Sequence, residues 1–197
     1  MKAPTRYVES RARRSPPAIY AIGFALRLLA AGVGVAHGLP ETLTGKVQIY
    51  DGVTFDLIQD GGRYRMATRI RLEAVDSCEL RQKARLGNVD WPCGAVGTAW
   101  LASRTLAKDV ECRPTRVIRG GGYHAQCYVN GLDIAALGLE EGMYVVAVPQ
   151  GEQPPAGYPE LEARAKAAGV GIWSSEFMKP ADWRRAYGTY NPLAPQR

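Results

Sequence analysis

Between residues 69 and 75 the chain alternates: Ile70, Leu72 and Ala74 are apolar, while Arg69, Arg71 and Glu73 are charged. A period of two sends successive side chains to opposite faces of a strand, so Arg71 points away from the apolar face. That outer face is either the lining of a polar groove or a plain solvated surface. Upstream, residues 44–50 and 54–59 read as two strands joined across Asp51-Gly52-Val53, a turn containing Asp-Gly, and so as a hairpin. Residues 110–113 and 123–129 read as two further strands, joined by a loop rich in arginine and glycine.

Helical patterns fall between and after these strands. Residues 94–106 predict a helix with Val96, Trp100, Leu101 and Thr105 on its buried side. A polar loop containing Gly87-Asn88 and Trp91-Pro92 precedes it. A short helix is predicted around residues 132–141, and another from Pro159 to about Ala168, opened by the proline and stopped by Gly169. The proline-rich stretch 150–159 is a loop. The order is three strands, a helix, two strands and two helices. It predicts a β-barrel plus α architecture: a five-stranded OB-fold with about three helices packed on it. A sandwich needs more strands than the pattern supplies.

Composition changes this picture mainly at the N-terminus. With 46% hydrophobic residues in 197, disorder throughout is excluded, and a core of ordinary size does not strictly need disulfide staples. The net charge of +6 invites a nucleic-acid reading, but residues 1–36 hold six basic residues and one acid. Residues 37–197 hold 19 basic against 18 acidic groups, so net charge gives no support for a generic polyanion surface on the folded part.

Residues 1–36 resemble a secretory signal peptide. A basic stretch ends at Arg14, an apolar run covers 18–36, and Gly34-Val35-Ala36 offers small residues for cleavage. Arg27 interrupts the run, so a retained membrane anchor and a simple extension stay open beside a cleaved leader. Export, to the periplasm or the medium, changes the meaning of Cys78, Cys93, Cys112 and Cys127. An even count in an oxidising compartment favours two disulfides, and spacing alone leaves three connectivities. No Cys-x-x-Cys pair and only two histidines argue against a structural zinc site. His37 carries no argument, and His124 reads as a packed or surface side chain.

The string Val47-Gln48-Ile49-Tyr50-Asp51-Gly52-Val53-Thr54-Phe55 and the string Arg69-Ile70-Arg71-Leu72-Glu73-Ala74-Val75-Asp76-Ser77-Cys78-Glu79 carry the strongest likeness to a known family. With Asn130-Gly131-Leu132-Asp133-Ile134, Glu141-Gly142-Met143, Glu162, Ala165 and Gly171-Ile172-Trp173, they occur in the order and spacing of the staphylococcal nucleases, and the chain resembles that family over about residues 43–175. Residues 176–197 form a C-terminal tail. Trp91-Pro92-Cys93-Gly94, Cys112, Cys127, Phe177 and Trp183-Arg184-Arg185 are similar to a subset of exported bacterial members. In that layout Cys112 pairs with Cys127, and Cys78 with Cys93.

The resemblance implies hydrolysis of DNA or RNA phosphodiesters with Ca2+. Carboxylates hold the hard cation, a glutamate activates or orients water, and two arginines clamp the phosphate. By position, Arg71 matches the first phosphate-binding arginine and Glu79 the water-activating glutamate. Asp76 matches a calcium-ligand aspartate, and Ser77 a backbone carbonyl ligand. Two positions depart: a metal-ligand aspartate is Val53 here, and the second arginine is Gly122. Asp51 or Asp56, and Arg116 or Arg119, are the candidates for compensation. The loop carrying Arg113, Arg116 and Arg119 either grips a phosphate backbone or is a solvated connection. Two functions follow as expectations. One is an exported nuclease homologue with weakened activity, acting on single-stranded DNA or RNA. The other is an inactive OB-fold binding module for nucleic acid, glycan or protein. A monomer is expected, with no small-molecule cofactor and with membrane contact only if the N-terminal segment is retained.

Overall fold

A computed structural model describes residues 38–189. The predicted leader and His37 lie outside the described residues. Strand β1 (Leu43–Ile49) turns into β2 (Thr54–Asp60), and one carboxylate oxygen of Asp51 shapes the turn, accepting hydrogen bonds from the backbone N–H of Val53 at 2.8 Å and of Thr54 at 2.7 Å. Strand β3 (Arg65–Leu72) starts earlier and stops sooner than the alternation suggests. It stops because Ala74 adopts φ of 60°, a left-handed conformation that swings the chain into the short strand β4 (Val75–Asp76). That swing brings Asp76 back beside Arg71.

The segment expected as a plain polar loop contains a small hairpin, β5 (Ala84–Leu86) and β6 (Val89–Trp91), turning at Gly87. Helix α1 (Cys93–Thr105) follows. Leu101 and Thr105 are buried as expected and Trp100 is half-buried, but Val96 is exposed. Strand β7 (Val110–Val117) is longer than predicted and carries a bulge between Pro114 and Arg116. Strand β8 (Tyr123–Val129) and the short β9 (Leu132–Asp133) lead to helix α2 (Ile134–Glu140), capped by the Asp133 side chain on the N–H groups of Ala135 and Ala136. Strand β10 (Val145–Val146) pairs with β4. Helix α3 (Tyr158–Ala168) has Pro159 in its first turn and ends on left-handed Gly169, as predicted. A 3-10 turn at Gly171–Ser174 and helix α4 (Pro180–Tyr187) complete the described chain, so the C-terminal segment is structured where the sequence offered no pattern.

The five long strands close into a barrel. They pair in the order β3-β2-β1-β7-β8, and β8 returns to β3 in parallel. With α1 inserted between the third and fourth barrel strands, this is an OB-like barrel carrying four α-helices among the described residues. Phe55, Leu57, Ile70 and Leu72 fill it with almost no exposure. Each contributes roughly 1.5–3 kcal/mol over an exposed side chain.

Two disulfides are formed, Cys78–Cys93 and Cys112–Cys127, as the resemblance implies. Cys112 and Cys127 are direct cross-strand neighbours in the barrel wall. Cys78–Cys93 ties the segment after β4 to the start of α1, a closure worth about 3 kcal/mol in the chain-entropy account. Such a covalent frame belongs to an oxidising compartment rather than the cytosol. No helix among the described residues is long and apolar enough to cross a membrane.

Candidate functional site

At one end of the barrel four charged side chains meet. Arg71, on the outer face of β3, sits opposite Thr54 of β2 and donates to its hydroxyl at 3.3 Å. It also donates to Asp76 Oδ1 at 2.8 Å. Asp76 is buried, its side chain only 4% exposed, because β4 is sheltered by its pairing with β10. A third group comes from the far end of the chain. Arg184 of α4 donates to both oxygens of Asp76, at 3.1 and 2.6 Å, and to Glu79 Oε1 at 2.6 Å. Arg71, Asp76, Glu79 and Arg184 therefore form one network of two cations and two anions.

The network is held in place from below. The Glu79 backbone N–H donates to the side chain of buried Gln82 at 3.0 Å, and the disulfide fixes Cys78 between the two acids. Gly94 lets the start of α1 press against the Glu79 carbonyl, where a Cβ would collide with backbone. Ser77 is buried beside Gly52, whose missing side chain leaves room for the Ser77 hydroxyl. That hydroxyl turns to the Cys78 carbonyl at 3.3 Å.

Electrostatics follow from this packing. Burial pushes the Glu79 carboxyl above its ordinary range, although Arg184 pulls the other way. The hydrogen bond to Asp76 above all, with that to Glu79, holds the Arg184 guanidinium above its usual value against partial burial. Arg184 is thus a fixed cation.

The sequence-predicted residues divide into those brought together and those placed apart. Arg71, Asp76, Ser77 and Glu79 converge. Asp51 shapes its turn with one oxygen and lies near enough to Glu79 for its charge to push that carboxyl up, whereas Asp56 is committed to Tyr50 and Arg69 on the barrel's outer wall, at 2.6 and 2.5 Å. Arg116 lies one strand further along: Arg71 faces His124 across β8, and His124 faces Arg116 across β7, so the three share a transverse row. Arg116 is engaged by Glu152 at 3.2 Å and Glu73 at 3.4 Å. Half-buried His124, beside Arg116, titrates below its ordinary value, first through burial and then through that guanidinium. Arg119 is exposed at the tip of the β7–β8 loop. Gly122, at φ of 87°, lies so close to the Arg69 backbone that a side chain there would collide. Val53 is buried in the barrel core.

The residue that sequence reasoning gave no role is Arg184. Its only signal in the sequence is the Trp183-Arg184-Arg185 string, which enters through the family resemblance alone. No spacing in the chain links position 184 to positions 76 and 79.

As arranged, these residues do not fit a calcium ion. Such an ion takes six to eight oxygen ligands. Both oxygens of Asp76 and one of Glu79 already accept from guanidiniums, and Val53 has no side-chain oxygen while its carbonyl accepts from the Leu72 N–H at 2.9 Å. Among the described residues no group of three or more His, Cys, Asp or Glu is placed to hold a metal. No protein-family model matches the chain, and no curated protein matches it. The chemistry at hand is that of the side chains themselves. A guanidinium carries five N–H donors. Arg71 commits two hydrogen bonds and Arg184 three, and each side chain stays about a quarter exposed, at 28% and 27%. The remaining donors suit an oxyanion such as phosphate.

Proposed function

We propose that this chain is an exported, staphylococcal-nuclease-like OB barrel that binds a phosphodiester of single-stranded DNA or RNA at its mouth and has lost efficient hydrolysis. The observation that carries this reading is the commitment of Asp76 and Glu79 to guanidiniums. The two acids expected to serve a cation and a water instead orient Arg71 and Arg184, whose spare donors suit a phosphate. Position within the barrel supports it. OB-folds take oligonucleotides on the face of their second and third strands, flanked by the loops between strands one and two and between strands four and five. Arg71 and Thr54 are on that face, Asp51 is in the first loop, and Arg119 is in the second.

A second reading, residual hydrolysis, is favoured by one feature: a half-buried Glu79 whose carboxyl holds its proton more tightly than usual, as a general acid or base does. Binding of a labelled single-stranded 12-mer to the oxidised full chain, followed by fluorescence anisotropy in EDTA, tests the main reading. The expected result is saturable binding that weakens with salt and falls about tenfold in Arg71→Ala. No binding at low salt, or equal binding by the variant, contradicts it. Shortened oligonucleotide on a gel after incubation with a divalent cation selects the second reading.

A further inference from the structure

We propose that the Arg184 guanidinium takes the place of a divalent cation between Asp76 and Glu79, so that the mouth works without metal and becomes a metal site only when Arg184 is removed. The role of this cation toward the ligand rests on the proposed phosphate-binding mouth; its exclusion of metal does not.

Geometry carries the inference first. One guanidinium bridges two carboxylates from a single segment, chelating Asp76 and reaching Glu79 with the same Nη1 that contacts Asp76. A cation coordinated by those two acids would occupy the same space.

Anchoring carries it second, because Arg184 is delivered by a strapped element. The segment leading to α4 pairs with β5 through a mutual backbone bridge between Arg85 and Glu176. Gln82 donates to the Met178 carbonyl at 2.5 Å, and Trp91 to the Ser175 hydroxyl at 2.8 Å. Phe177 packs edge-on against Trp173, over the cluster that includes the Cys78–Cys93 disulfide. Pro180, the first residue of α4, is buried. The disulfide, the small hairpin and the C-terminal strap thus form one device that sets Arg184 against the acids.

Removing the guanidinium takes from Glu79 the salt bridge on its carboxylate and leaves Asp76 with Arg71 and the Ser77 backbone N–H, which donates to Oδ1 at 3.1 Å. Two adjacent, poorly solvated carboxylates are what a hard divalent ion binds. Manganese(II) is the probe, titrated into the oxidised full chain and followed by the paramagnetic signal of the free ion. Wild type and Arg184→Lys are expected to show no saturable site, and Arg184→Ala one site, at least about tenfold tighter than any wild-type binding. Adding Asp76→Asn to Arg184→Ala is expected to abolish that site. Saturable wild-type binding as tight as that of Arg184→Ala overturns the proposal, as does a folded Arg184→Ala that binds no manganese. A second measurement needs no variant: wild-type affinity for the single-stranded 12-mer is expected to agree within about twofold between EDTA and calcium at matched ionic strength. Tightening of about tenfold or more in calcium overturns the proposal. A chain that binds no oligonucleotide in either condition sinks the phosphate-binding reading and leaves the manganese titration to decide on Arg184.

Discussion

Arg69 and Arg71 stand two residues apart on the same face of β3, and their charges are used differently. Arg69 faces Asp56 directly across the β2–β3 ladder, donates to it at 2.5 Å, and lies over the Tyr50 ring at 4.1 Å. This is a local pair on a surface, with the arginine side chain 43% exposed. Arg71 faces Thr54, so its cross-strand neighbour cannot neutralise it. Its carboxylate comes from beyond the left-handed kink at Ala74, and that carboxylate is shared with a helix more than a hundred residues away. Strand alternation assigns both arginines to the outer face and treats them alike. What separates a surface ion pair from a site is the long-range traffic that covers it: β10 against β4, the disulfide, and α4.

The largest difference between the two regions is expected in stability. Asp76→Ala leaves Arg71 and Arg184 partly buried and without their shared acceptor, a loss of about 3 kcal/mol, or more. Arg69→Ala breaks a pair whose arginine is 43% exposed and leaves Asp56 its hydrogen bond from Tyr50, so it is expected to cost about 1 kcal/mol. Urea denaturation of the oxidised chains measures both.

A smaller effect sharpens the contrast through pH. Burial raises the Glu79 carboxyl in the folded chain, so the folded state takes up that proton at higher pH than the unfolded state. The associated stability is present below the unfolded value and is lost as pH rises through the folded one. Asp56 has the opposite sign. Burial pushes its carboxyl up, but the hydrogen bonds from Arg69 and Tyr50 outweigh it and hold the group below its ordinary value. Its contribution is present above the unfolded value and is lost as pH falls through the folded one. Glu79→Gln is expected to flatten the stability curve above the ordinary carboxylate range and leave the acid limb unchanged. An unaltered upper limb would count against a half-buried Glu79.

How much of this was legible follows from where each signal resides. The barrel strands were readable because alternation is local, and helix α3 because Pro159 and Gly169 mark its ends. The end of β3 was not, since Ala74 continues the apolar alternation while its backbone leaves the strand, and it is buried all the same. The small hairpin escaped because Leu86 and Val89 are exposed and its stability comes from tertiary ties to Glu176 and Ser175. In the site, Arg71, Asp76, Ser77 and Glu79 lie within nine residues and could be named from one segment; Val53 and Gly122 could be named as departures. Arg184 could not, because an eight-residue helix with no core-forming pattern is positioned wholly by what it packs on.

The most direct test of the account is a pair of double-mutant cycles on the oxidised chain, Asp76 with Arg184 and Asp56 with Arg69, each residue replaced by alanine. The coupling between Asp76 and Arg184 is expected to exceed about 2 kcal/mol, while that between Asp56 and Arg69 stays below about 1 kcal/mol. Equal couplings, or none between Asp76 and Arg184, would contradict the claim that the C-terminal helix supplies the cation of this site.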